Sequence, residues 1–217
     1  MMASRRRWQV LVPLFAAALA APALAAPQCA AYAQELALMV EAAEAARGRV
    51  DYLAPPEDRV AAAHHDRLAL VERDNADRLG RLMASCGWPR ASVEGVQAAR
   101  DAWLVARQRE HDLAFQRQVV RQLELAVLDG EAPALHLATA SDRLAVQEGR
   151  PQRYGTQLRQ SGACTWDYHP LDDVARVEAR RQRLGLPSLE SHRHAINAMI
   201  ISEHCPAPGA PATRTGR

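Results

Sequence analysis

The stretch Asp142-Arg143-Leu144-Ala145-Val146-Gln147-Glu148-Gly149-Arg150-Pro151-Gln152-Arg153-Tyr154-Gly155-Thr156-Gln157 is where a regular helical pattern stops and side chains of specific geometry crowd together. Leu137 and Leu144 carry an inward stripe up to it. Gly149 falls where such a helix needs a left-handed residue to stop, and Pro151 blocks re-entry while pushing Arg150 towards an extended backbone. The chain therefore leaves as a loop. Tyr154-Gly155 supplies a second turn, and Gln152, Thr156 and Gln157 offer amides and a hydroxyl able to satisfy backbone groups or a ligand. Buried loop backbone has to be paired in any case, which favours a loop pinned by its own hydrogen bonds. A binding site built from the same atoms is the alternative.

Outward from this loop the sequence reads as helices. Leu36, Met39, Val40, Ala43 and Val50 recur at three- and four-residue spacing with Glu35, Glu41, Glu44 and Arg47 on other faces, which predicts a first amphipathic helix. It turns at Ala54-Pro55-Pro56. Glu57 and Asp58 open a second helix of about 40 Å, striped by Val60, Leu68, Val71, Leu79, Leu82 and Met83. Asn75 interrupts that seam as a packing or register device. Gly87 ends the helix, and Ser92 is expected to cap a third carrying Val96, Ala99, Trp103 and Leu104, with Trp88 and Trp103 in the core.

A break at His111-Asp112 precedes a fourth helix with Val119, Val120, Leu123 and Val127, closed by Asp129-Gly130, and Pro133 starts the fifth. Beyond the loop, Ser161 to Pro170 is too polar and broken for a helix and suits an extended piece or hairpin. Asp172-Asp173 open a sixth helix with Val174, Val177 and Leu184 inward, stopped by Gly185. Ser188 caps a seventh with Leu189, Ile196, Met199 and Ile200. The expected fold is all-α, a single-domain bundle of about six to seven helices with one ordered irregular loop.

The ends of the chain bear on location. Arg5, Arg6 and Arg7 precede an apolar run from Val10 to Ala21 and the small-residue box Ala23-Leu24-Ala25, the pattern of a secretory signal peptide over residues 1–25. That run is shorter than a membrane span needs, and Pro13 interrupts it. The domain is then 26–205, and the Pro-rich stretch 206–217 is expected to be a disordered tail. Loss of the signal turns 27 basic residues against 25 acidic into 24 against 25, so no basic face for nucleic acid remains. Every basic residue is arginine, which excludes Schiff-base and lysine general-base chemistry.

Cys29, Cys86, Cys164 and Cys205 are even in number, widely spaced and bound for an oxidising compartment, so they are read as disulfides. Two antiparallel helices of similar length joined by a short loop bring their outer ends together. This favours Cys29 with Cys86 and leaves Cys164 with Cys205.

The usual hydrolase elbow, phosphate-cradling glycine loop, zinc-helix and dinucleotide patterns are absent from the sequence. His64-His65, and His192 with His194, are spaced so that they split across helix faces, and no metal or cofactor is expected. The candidate ligand site is Asp142, Arg143, Gln152, Tyr154, Thr156 and Gln157, a shallow polar pocket against the Trp88 turn, with Arg180 and Arg181 able to hold an anion; Arg143 or Arg180 would otherwise tie the loop to a helix through an acid such as Asp74.

The chain resembles a bacterial family of uncharacterised proteins, domain of unknown function 6624, from about Asp74 to Leu189. The likeness is carried by Asp74-Asn75 with Leu79, Gly87-Trp88-Pro89, Ala102-Trp103-Leu104, Phe115-Gln116, Asp142-Arg143, Gly149 through Gln157, and Arg180-Arg181 with Leu184-Gly185-Leu186. The resemblance implies a mostly helical domain and no established activity. In that family the helix after the Trp-Leu pair commonly carries Gln-His-x-Asp, where this chain has Arg107, Gln108, Arg109 and Glu110. If the family's histidine and aspartate do chemistry, an imidazole base has been lost here.

Two functional classes are consistent with these residues. The favoured one is a periplasmic or secreted, non-catalytic binding or interaction module, its partner a small molecule or an envelope protein, with no membrane contact once the signal is gone. Oligomeric state is not legible. The alternative is an envelope-acting hydrolase using Tyr154 with Glu110 or His111, and it requires those groups to converge in one concave site. Export carries its own test: the N-terminus of the secreted protein is expected to read from Ala26, and recovery of Met1 or Met2 on intact mass would refute cleavage.

Overall fold

The computed structural model describes residues 27–162 and 165–204. Among them the chain forms α1 (Pro27–Ala30), α2 (Tyr32–Arg47), α3 (Arg59–Cys86), α4 (Val96–Gln108), α5 (Leu113–Leu128), α6 (Ala134–Gln147), a two-stranded sheet of β1 (Leu158–Gly162) and β2 (Thr165–Tyr168), then α7 (Val174–Arg183) and α8 (Leu189–His204). The fold is all-α as expected. Seven long helices match the seven stripes read from the sequence, and α1 is a single turn in front of the first. The expected signal peptide, the expected Cys164–Cys205 pairing and the expected tail fall on residues outside the described ones.

α2 and α3 form the first wall. Ion pairs Arg78–Glu35 and Arg47–Glu72 join them, the partners rising in number on one helix as they fall on the other, which makes the pair antiparallel. The Cys29–Cys86 disulfide closes their outer end with Cα atoms 5.7 Å apart, the pairing that antiparallel geometry favours. Beside it the buried Tyr32 hydroxyl donates to the Gly87 carbonyl at 3.1 Å, satisfying an acceptor at the end of α3. Midway, Asn75 donates to the Met39 carbonyl at 2.8 Å and so fixes the register of the two helices from within the seam.

α4, α5 and α6 complete the core. Leu36, Met39, Leu79, Met83, Val105, Val119 and Leu123 are fully or almost fully buried in one cluster with Trp88, Phe115 and Leu137. At about 1.5–3 kcal/mol for each large side chain, burial on this scale is the main stabilising term. Capping follows the expected residues at Asp58, Asp112 and Asp173, whose carboxylates accept from backbone amides in the first turn.

Ser92 is a correction. It does not cap the third helix, which starts behind Gly95 at a left-handed φ of 93°; its hydroxyl and amide instead donate to Glu131 at 2.6 and 2.9 Å. The chain between Trp88 and Gly95 makes its own turns, with the Arg90 amide on the Glu94 carboxylate, and only the glycine permits the change of direction. Val60 and Val174 also depart from their expected inward placement. Both stand in the first turn of their helices and project past the core, 67% and 56% exposed.

The segment read as an extended piece or hairpin is antiparallel, with Leu158 opposite Tyr168 and Gln160 opposite Trp166, and an irregularity between Gln160 and Gly162. Among the described residues no helix is long and apolar enough to cross a membrane. Because Cys29–Cys86 closes a separation of 57 residues, replacing both cysteines by serine is expected to cost about 4 kcal/mol on the loop-entropy account. Urea unfolding of the double variant measures this, and a loss below about 1 kcal/mol would show that the helix pair needs no covalent closure.

Candidate functional site

α6 ends at Gln147 and Gly149 takes φ 68°, the left-handed stop the sequence requires. The loop that follows is bound from three directions. Asp142, fully buried on α6, accepts from the amides of Arg153 (2.7 Å), Tyr154 (3.0 Å) and Thr156 (2.8 Å) and from the Thr156 hydroxyl (3.0 Å). Arg181, 2% exposed on α7, donates to the carbonyls of Tyr154 (2.6 Å), Gly155 (3.2 Å) and Pro187 (2.5 Å). Gln152, fully buried, accepts through its side-chain oxygen from the Thr156 and Gln157 amides and donates to the Gln157 and His169 carbonyls.

These contacts divide the labour by sign. The carboxylate collects the loop's N–H groups and the guanidinium collects its carbonyls, so two buried charges are each met by oriented peptide dipoles. Burial pushes the Asp142 carboxyl above its ordinary range, against the four donors that pull it down. Gly155, at φ 67°, lies against Leu189 of α8 and Leu171; a Cβ there would overlap the Leu189 side chain. The backbone of Gln152 joins the far side, donating to the Pro170 carbonyl at 2.8 Å and accepting from the Asp172 amide at 3.0 Å.

Asp142, Gln152, Tyr154, Thr156, Gln157 and Arg181 therefore come together, as an internally paired network. Arg143 and Arg180 do not join its interior. Arg143 pairs with Glu110 at 3.0 Å, and Arg180 pairs with Asp172 at 2.7 Å and reaches the Arg153 carbonyl at 3.4 Å. Neither uses Asp74, whose own ion pair is with neighbouring Arg73. Tyr154 is 7% exposed, with the Arg153 guanidinium 5.8 Å above its ring, and burial raises its hydroxyl pKa above the ordinary value.

Glu110 and His111 stand elsewhere. They line a polar cleft of about 470 Å³ with Glu44, Arg47, Glu72 and Arg107, and Tyr154 is not among its lining residues. The His111 ring nitrogen lies 3.6 Å from the Glu110 carboxylate, with the histidine side chain 89% exposed. A base that open to water and a tyrosine enclosed in another part of the molecule do not form the convergent set an enzyme reading needs.

A cleft that the sequence reading missed lies on the outer face of α4. It measures about 510 Å³ and is walled by Ala91, Val96, Ala99, Trp103, Leu104 and Pro133, with Arg100, Glu131 and His136 among its lining residues. The Trp103 and His136 rings stack at 4.5 Å, 10° from parallel. Trp103, expected in the core, is thus only partly buried, packing against the core and offering its rings to the cleft. Burial, and secondarily the charge of Arg107, lowers the His136 pKa, so this imidazole is neutral at pH 7. The signal present in the sequence was Val96, Arg100, Trp103 and Arg107 at helical spacing on one face, a stripe mixing apolar and cationic groups.

Asp142→Asn keeps the shape but turns an amide's own hydrogens towards two of the four donors. A loss of about 2–4 kcal/mol of stability is expected in urea unfolding. A loss under about 1 kcal/mol would mean that the loop is held by other contacts.

No curated protein and no solved structure matches this chain. The profile of the Family of unknown function (DUF6624) matches residues 30–200, further in both directions than the expected 74–189 and taking in α2 and the start of α8. With most of its length matched, the chain belongs to that family.

Proposed function

We propose that this protein is an exported, non-catalytic binding module that holds a small molecule in the cleft beside Trp103. The loop of residues 149–157 acts as the brace that fixes α6 and α7. The observation that carries this reading is the cleft itself: a concavity with mostly apolar walls, a planar aromatic stack and a few polar groups at its edge is the usual form of a small-molecule site. The polar loop, by contrast, has its carboxylate, glutamine and arginine groups committed to its own backbone. A periplasmic or secreted location accords with the signal-like residues 1–25 and with the disulfide.

The envelope-hydrolase alternative draws support from the Glu110–His111 pair in its polar cleft, yet that cleft supplies no buried nucleophile beside them. The binding reading is tested by thermal-shift screening against small apolar and aromatic envelope metabolites. A compound that raises the melting temperature of the protein is expected to lose its effect in Trp103→Ala and in the surface variant Val96→Glu, and to keep it in Tyr154→Phe and Gln157→Ala. A stabilisation that survives the first two changes and disappears in the last two would return the site to the loop.

A further inference from the structure

We infer that the cleft beside Trp103 is specific for a small aromatic or otherwise apolar carboxylate, its body lying on the Trp103–His136 stack and its acid group held by Arg100; this rests on the reading of that cleft as the binding site. The walls select an apolar body. Val96, Ala99, Leu104 and Pro133 offer no polar side-chain atoms, and the stacked rings of Trp103 and His136 add aromatic surface to the lining.

The sign of the ligand's charge follows from which charges near the cleft are already used. Arg100 makes no hydrogen bond or ion pair among the described residues, and it lines the cleft. Arg107, about two turns further along the same face of α4 and outside the cleft lining, is likewise without such a partner and adds positive potential beside His136. The acid among the lining residues is Glu131, whose carboxylate is directed at the hydroxyl and amide of Ser92 and makes no ion pair with Arg100. His136, held neutral, contributes a ring face and no charge.

A cationic guest would therefore meet the unpaired Arg100 guanidinium, whereas a carboxylate finds there a planar fork of donors matched to its two oxygens. An uncharged apolar guest would use the stack and leave that fork idle. Recognition by shape at one end and by charge at the other is what distinguishes the proposed ligand from any apolar molecule of similar size.

The experiment is calorimetric titration of the whole protein at pH 7 and low ionic strength, where an exposed charge is least screened, with 1-naphthoate and with its neutral counterpart 1-naphthalenemethanol. The naphthoate is expected to bind the protein more tightly than the alcohol, and to bind Arg100→Gln at least about fivefold more weakly, with the alcohol unaffected. Arg100 is solvent-exposed, so the variant keeps the fold. Equal affinities for the two probes, both lost in Trp103→Ala, would overturn the anion specificity while leaving the cleft as the site. Failure of both probes to saturate the unaltered protein would overturn the specificity and the cleft reading together.

Discussion

Two opposite charges are buried on α6 and α7 with a length of loop between them, and the C-terminal third of the molecule hangs on that arrangement. Asp142 can remain inside only because three amides and a hydroxyl converge on it, and Arg181 only because three carbonyls do. Burial of either charge without those partners would cost several kcal/mol. The loop is therefore not an appendage of α6 and α7. It is the neutralising medium through which the two helices tolerate each other, and its shape is set by the requirement that N–H groups face one side and carbonyls the other.

That requirement also commits the polar groups of the loop to its own backbone. A group spent on holding the backbone is not free to hold a guest, and the same residues that read in sequence as a cluster of recognition chemistry are consumed in satisfying one another. The parts of the surface left with unspent valence are elsewhere. On α4 the small residues Ala98, Ala102 and Ala106 let the inner face pack closely, so the outer face carries Trp103 and the arginines as a separate surface. One helix thus serves the core on one side and lines the cleft on the other.

What could be read from the sequence was whatever depends on local chain geometry. Gly149 and Gly185 end helices because left-handed φ at those points is a property of the chain itself, and the Cys29–Cys86 pairing follows from the length of two helices and a short turn. Asn75 was legible as a seam device for the same reason. Partners chosen by packing were not. Arg143 finds Glu110 and not Asp74, Ser92 serves Glu131 and not α4, and Trp103 sits at the edge of the core. Each of these depends on how helices distant in sequence are rotated against one another, which residue spacing along one helix does not encode.

The glycine at 155 carries a consequence for the tolerance of the chain to change. Gly95, Gly130, Gly149 and Gly185 also take left-handed φ, but open space surrounds them, so a small side chain there has only backbone strain to overcome. Gly155 has the same backbone demand with Leu171 and Leu189 pressed against it. Every amino acid other than glycine has a Cβ, so any missense change at that codon must push aside the Leu189 side chain through which the final helix docks, besides meeting the backbone strain.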